Sequence, residues 1–392
     1  MRETHETNVA TAVQDITDEL RRTAVERDRA GGVPKRERDL LRKSGLLTLA
    51  IPREHGGVGA SWADTLRVVR QLAEVDGSMA HVFGFQHLLL ATLRLFGTAE
   101  QYVPLFRSTV ERQWFWGNAL NPLDVRAVIE PRGGDFVMRG SKSFCSGAGD
   151  SDMLVVSALK DDGGKRLVIA AVPTNREGIV VLGDWSNMGQ RQTDSGSVDF
   201  NDVHIAKDEV LSMPGPLGTP FASLRPLIAQ LTFANVYLGI AEGAFEEARR
   251  FAQTRGKPWF LSGVEKVSED PYLLHHFGEL FVELEAARLL TDRAAAELDL
   301  AWARAESLTA NERGKVAVAI ATAKVKSSKA GLDTVQRIFE VMGARATTSS
   351  EGFDRFWRNL RTLTLHDPLD YKLRELGAWV FNEQIPTPTF YS

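Results

Sequence analysis

The sequence predicts an α+β fold with helical domains at both ends and a β domain between them. Three observations carry this. Apolar residues recur at spacings of three and four before about Gly117, and again after about Pro226. Between those limits the chain breaks into short β-branched runs separated by glycine and aspartate. No internal repeat or long low-complexity linker disturbs this order. At 392 residues, 43% of them hydrophobic, the chain has material for two or three cores. The predicted domains are residues 1–117, 118–225 and 226–392.

In the first domain the helical spacing is clearest in Val13, Ile16 and Leu20 and in Leu66, Val69, Leu72 and Val75, with turns at Gly31-Gly32, Pro52 and Gly56-Gly57. Asp76 caps a largely apolar segment running to Leu90, so that helix is expected to be buried, with His81 and His87 in or beside the core. The β runs are Phe136–Met138, Leu154–Val156, Leu167–Val172, Gly178–Leu182 and Ser197–Phe200, with turns at Gly133-Gly134 and Asp161–Gly164. Four long amphipathic segments follow, about Ala229–Arg255, Tyr272–Trp302, Ala310–Met342 and Leu369–Asn382, which predicts a four-helix bundle.

Composition removes several function classes. The net charge of -4, with the basic residues between Arg21 and Lys43 interleaved with acids, gives no polyelectrolyte face for nucleic acid. Cys145 is the only cysteine, so neither an intrachain disulfide nor a cysteine-rich metal site is possible, and no metal centre is expected. The first residues lack the apolar core of a signal peptide and no stretch reads as a membrane span, so a cytoplasmic protein without membrane partners is expected. Gly56-Gly57-Val58-Gly59 does not complete a dinucleotide fingerprint, and there is no phosphate-binding Walker loop. Reducing equivalents would have to arrive on another carrier, most simply a reduced flavin made elsewhere.

Taken alone, the candidate residues have plain structural readings: His81 as a hydrogen-bonded core imidazole, Asn118 and Ser146 as turn residues, Cys145 as packing, Trp185 as core, Arg345 as a solvated helix end, and His366 as the residue before Asp367-Pro368 at a helix start. Pro52–Gly59 and Arg139–Ala148, however, resemble two signatures of the acyl-CoA dehydrogenase superfamily, and the resemblance runs from about Leu41 to the end. It implies that family's architecture: a helical domain, a β-barrel-like domain and a four-helix bundle. Dehydrogenases of the family use a glutamate just before a Gly-Thr pair to remove the substrate α-proton. Here that tetrad reads Leu365-His366-Asp367-Pro368.

Phe353–Pro368 and Asp76-Gly-Ser-Met-Ala-His81-Val-Phe-Gly84 resemble the flavin-dependent monooxygenase branch that oxidises dibenzothiophene. The resemblance implies catalytic roles for His81, Ser146 and His366, with Ser146 donating to the flavin ring. It implies flavin contacts from Phe85, where the family has a tyrosine, and from Asn118, Lys142, Ser143, Phe144, Cys145, Ser146, Trp185 and His366. Lys257, standing for an arginine, and Arg345 would serve the phosphate. The implied cofactor is FMN rather than FAD, reduced by a separate flavin reductase and trapping O2 as a C4a-hydroperoxide. The implied substrate is a small apolar aromatic organosulfur compound, and the implied assembly is a homotetramer; Phe115, Trp116, Phe233, Trp259 and Phe260 are candidate walls for a flat substrate, most of them equally readable as core. The loop after Asn118 is shorter than the branch's lid. Competing readings are N- or C-oxygenation of an amine or indole, FAD-dependent acyl-CoA dehydrogenation, and a non-catalytic flavin-binding helper.

Overall fold

The computed structural model describes residues 2–161 and 165–392, so most of the predicted Asp161–Gly164 turn lies outside the described residues. Five helices come first: α1 (Arg2–Ala30), α2 (Lys35–Ser44), α3 (Trp62–Ala73), α4 (Gly77–Phe96) and α5 (Ala99–Arg112). Asp76 caps α4 as expected, its side chain accepting from the Met79 amide at 2.9 Å. α4 is long and apolar enough to cross a membrane, but it is almost wholly buried between the other elements and serves as the core helix of this domain. Its approach to the later bundle depends on Gly84, where a Cβ would lie 2.4 Å from the Thr232 methyl.

Seven strands follow: β1 (Trp116–Ala119), β2 (Val128–Arg132), β3 (Asp135–Lys142), β4 (Met153–Asp161), β5 (Lys165–Pro173), β6 (Ile179–Val181) and β7 (Val198–Ile205). β4 carries β5 on one side and, on the other, β1 and β2 at its two ends, both parallel to it; β3, β7 and β6 continue the sheet. β1 has no sequence signal of its own. Trp-Gly-Asn-Ala lacks β-branched alternation and becomes a strand through its register with Met153–Val156.

The last region holds α6 (Leu224–Arg255), α7 (Pro271–Arg304), α8 (Ala310–Met342), α9 (Asp354–Thr364) and α10 (Leu369–Asn382). α6, α7, α8 and α10 are the four predicted bundle helices. α9 is a short fifth helix that buries Phe356, Asn359, Leu360 and Leu363 across α6 and α8.

His87 lies fully inside the α4 core, its ring 4.8 Å from that of Phe83. Burial pushes its pKa down to about 3, a backbone contact at Leu46 offsetting only part. The native state thus holds it neutral while the unfolded chain protonates it below its ordinary value of 6.5. Its contribution to stability is intact above that value and is lost as pH falls toward the folded pKa, by about 2 kcal/mol at pH 5. We expect His87→Leu to lose less melting temperature than the parent between pH 7 and pH 5. Equal losses in paired thermal melts would contradict this.

Candidate active site

A cavity of about 1000 Å³ opens where α4, the β-domain loops, α6 and the α9–α10 junction meet. Of the residues singled out in the sequence, His81, Phe85, Asn118, Ser143, Phe144, Ser146, Trp185 and His366 line it. His81 and Phe85 stand one turn apart on α4, ring centroids 4.5 Å apart. Phe233 of α6 closes an aromatic corner, 5.5 Å from each of them and 4.6 Å from His366, so the two histidines flank one phenyl ring.

His81 Nδ1 lies 3.3 Å from Gln190 Oε1, while Gln190 Nε2 points to the Asn359 carbonyl at 3.4 Å. The amide oxygen accepts, so Nδ1 carries the proton and Nε2 is a bare lone pair, buried and without a partner in the protein. Burial pushes the His81 pKa down to about 3, Gln190 opposing and His366 adding repulsion. His81 is therefore neutral at ordinary pH, an acceptor rather than an acid.

Ser146 sits at the head of a hydroxyl chain. Its Oγ is 2.7 Å from Ser195 Oγ, which is 2.7 Å from Thr193 Oγ1, which donates to the Gln190 carbonyl at 2.9 Å. Each hydroxyl has one proton, so all three bonds form only if Ser146 donates to Ser195 and Ser195 to Thr193. That leaves the Ser146 oxygen facing the cavity as an acceptor, which reverses the donor role expected from the sequence. The Gln190 carbonyl also receives the Trp185 indole N–H at 2.7 Å. Asn118 is tied to the same loop, its amide donating to the Ser146 carbonyl at 2.9 Å.

His366 Nδ1 is 2.9 Å from Asp367 Oδ1, and Asp367 is ion-paired to the buried Lys324, which also reaches the Gln230 side-chain oxygen. Burial opposes ionisation of Asp367, but the His366 hydrogen bond and the Lys324 charge hold its carboxyl well below the usual range. Burial pushes Lys324 down to about 8, with Asp367 pulling the other way. Asp367 thus orients His366 with Nε2 free. It does not cap α10, whose N-cap position is Pro368.

Other expected residues fall elsewhere. Lys142 and Cys145 turn inward: Lys142 Nζ donates to the Asn121 and Asp124 carbonyls at 2.6 and 2.5 Å, fixing the short loop after Asn118, and Cys145 Sγ lies 3.4 Å from the Lys142 carbonyl. Neither side chain faces the cavity, and burial pushes the Cys145 thiol up to about 12. Lys257 and Arg345 are exposed and outside the cavity of this chain, on the α6–α7 loop and just after α8. Of the expected aromatic walls only Phe233 lines it. Phe115 and Trp116 are core, packed beneath Arg38 and bonded to Thr109 respectively, while Trp259 and Phe260 are exposed.

Gln190, Thr193 and Ser195 line the cavity from Gln190–Ser197, a segment that resembles the monooxygenase branch but to which the sequence assigned no individual roles; Arg225, Gln230, Phe390 and Tyr391, which also line it, were not singled out. Of the last four only Arg225 carried a signal, as a charge opening an uncharged run from Pro226 to Ala241.

Three segments match the acyl-CoA dehydrogenase family: residues 2–104 its N-terminal domain, 117–203 its middle domain and 231–371 its C-terminal domain. A probable FMNH2-dependent monooxygenase of Pseudomonas putida is 58% identical over 97% of this chain and 96% of its own length. A dibenzothiophene monooxygenase of Mycolicibacterium goodii is 43% identical over 97% and 95%. The solved structure of a methanesulfinate monooxygenase from Pseudomonas fluorescens superposes with a TM-score of 0.97 at 58% identity, covering 98% of this chain and 99% of that one. With family matches along most of its length and monooxygenases among its near-full-length relatives, this chain belongs to the acyl-CoA dehydrogenase family, in its flavin-dependent monooxygenase branch.

Proposed function

We propose that the chain is the oxygenase of a two-component, FMN-dependent monooxygenase that inserts one oxygen of O2 at the sulfur of an organosulfur compound. The observation that carries this is His366. It faces, with neutral His81 and the acceptor oxygen of Ser146, the cavity in which an acyl-CoA dehydrogenase would present a carboxylate base. Asp367 does not replace that base, because Lys324 and His366 hold its carboxylate. The FAD-dependent dehydrogenase reading fails on this point.

The residues present fit a flavin. A buried, unpartnered His81 Nε2, the free lone pair of Ser146 and the aromatic rings of Phe85 and Trp185 make a cleft for a flat heterocycle with polar edges. Bound in reduced form, the flavin would supply the two electrons that activate O2. Asn118, Ser143 and Phe144 would hold it from the cavity wall, and Lys142 and Cys145 would contribute only through their backbone. The aromatic corner of Phe85, Phe233 and His81 excludes water from the reacting atoms. His366, its tautomer set by Asp367, would exchange a proton at Nε2 as the O–O bond breaks.

Substrates of the dibenzothiophene type fit the aromatic corner, and the relatives named for dibenzothiophene and for methanesulfinate support oxygenation at sulfur. A separate flavin reductase would deliver the reduced FMN, and a cytoplasmic setting suits the single, buried thiol. We place Lys257 and Arg345 at the flavin phosphate of a neighbouring chain in a homotetramer. Leu274, Phe281, Val282 and Leu289 on α7, with Val380 and Phe381 on α10, leave apolar surface exposed for such an assembly.

Two outcomes are expected. His366→Ala should bind FMN nearly as well as the parent but lose oxygenation by ~10²–10⁴-fold, with reducing equivalents diverted to hydrogen peroxide. Parental product yield under reductase-coupled turnover, with no added peroxide, would remove His366 from the chemistry. Light scattering at micromolar concentration should give four times the chain mass, and a single-chain mass would refute the shared phosphate site.

A further inference from the structure

Next to His366 lies a buried pair of opposite charges whose use goes beyond holding the fold. Lys324, near the middle of α8, is 2% exposed, and its ammonium lies 5.9 Å from the centre of the Phe233 ring that also packs on His366. Donors from three places converge on one oxygen of Asp367: Lys324 Nζ at 2.5 Å, His366 Nδ1 at 2.9 Å and Gln230 Nε2 at 3.4 Å. Lys324 also donates to Gln230 Oε1, so α6 and α8 hold the carboxylate together.

Such a pair is a weak source of stability, because desolvating two charges offsets their attraction and well-packed apolar side chains would fill the same volume. What it controls is the field at the imidazole. Asp367 alone would set a full negative charge against Nδ1 and hold the ring as imidazolium, a donor slow to give up its Nε2 proton. The Lys324 ammonium cancels that charge, opposes transfer of the Nδ1 proton to the carboxylate and leaves the hydrogen bond in place. The ring then keeps one orientation and one tautomer without being pinned in either protonation state. The other titratable groups facing this network are His81, Arg225 and Tyr391 around the cavity, and Lys372 and Glu375 of α10. None of them bonds to Asp367; the one side-chain hydrogen bond of Arg225 goes to Thr92 Oγ1 at 3.3 Å. Lys324 is thus the cation that compensates Asp367 directly.

We propose that Lys324 is a positioning residue for the oxygenation: acting through Asp367 and braced by Gln230, it neutralises the carboxylate that orients His366, so that His366 can both take up and release a proton at Nε2 in each cycle. This rests on the proton-exchange role given to His366 above and names the residue that sets it.

The test is a histidine-ring NMR titration of the FMN-loaded protein, with His366→Ala to identify the His366 signal, set beside pH–rate profiles of reductase-coupled turnover with methanesulfinate. The parent is compared with Lys324→Met, Asp367→Asn and the variant carrying both changes. Lys324→Met strands the carboxylate, so the His366 midpoint should rise by about one pH unit or more, and Asp367→Asn strands the ammonium, so it should fall. With both charges gone it should return to within about half a pH unit of the parent, because the coupling between neighbouring charges is lost along with them. A purely structural role would neither reverse sign between the single variants nor cancel in the double one. An unmoved or lowered midpoint in Lys324→Met therefore overturns the proposal, and so does a double variant that stays displaced. Stranding a buried charge can unfold a single variant. Should both single variants unfold, the double variant decides: a parental midpoint supports the proposal and a displaced one overturns it. If the midpoints move as expected while the pH–rate profiles do not follow them, Lys324 still tunes the ring, and it is the proton-exchange reading of His366 that falls.

Discussion

The site depends on one buried ion pair, Arg38 with Asp194. Arg38, on α2, is fully enclosed and its guanidinium lies over the Phe115 ring, while Asp194 belongs to the loop between β6 and β7. The same carboxylate accepts the amides of Gly147, at 3.1 Å, and Gly149 from the β3–β4 loop. One side chain thus fastens a helix of the first domain to the two β-domain loops that carry Ser146 and Ser195. Asp194 and Gln190 both sit at positive φ, 41° and 55°, which a side chain adopts only when its surroundings over-determine it. Removing one partner of such a pair costs about 3–5 kcal/mol because the other charge is left stranded. Here the loss would also release the hydroxyl chain.

The loop between β6 and β7 meets the last domain as well. Gly189 lies so close to the α9 backbone that a Cβ would fall 2.0 Å from the Arg358 carbonyl, and the Gln190 amide donates to Asn359 Oδ1 at 2.5 Å. Gln190 is therefore held from α9 while its own side chain orients His81 on α4. Three domains converge on the imidazole whose free nitrogen faces the cavity. Any change in their packing would reach the chemistry through this one amide.

Charge is distributed unevenly around that cavity. On the His81 side every group is neutral. On the His366 side, Asp367 and Lys324 compensate each other through a shared network with Gln230, which fixes a tautomer without adding net charge. Against this background the lone guanidinium of Arg225 stands out.

By itself the sequence determined the order of the helical and β regions, the cap at Asp76 and the burial of the helix it opens. Period and composition record those features locally, and each matches the structure. It also singled out His81, Ser146, Trp185 and His366, which the structure brings to one cavity although they are far apart in the chain. What the sequence could not contain was direction. Whether Lys142 points into the site or ties down a loop, whether Ser146 donates or accepts, and whether Asp367 caps a helix or holds a histidine all depend on partners 18 to 49 positions away. Strand β1 was invisible for a related reason, since what orders it is a neighbour rather than its own residues, whereas helix α9 carries Phe356, Leu360 and Leu363 at helical spacing, a local signal that was not read as a helix. Tertiary structure alone decided that Arg225 would be buried without a counter-charge among the described residues, because a charge counts as unpaired only once every surrounding element is in place.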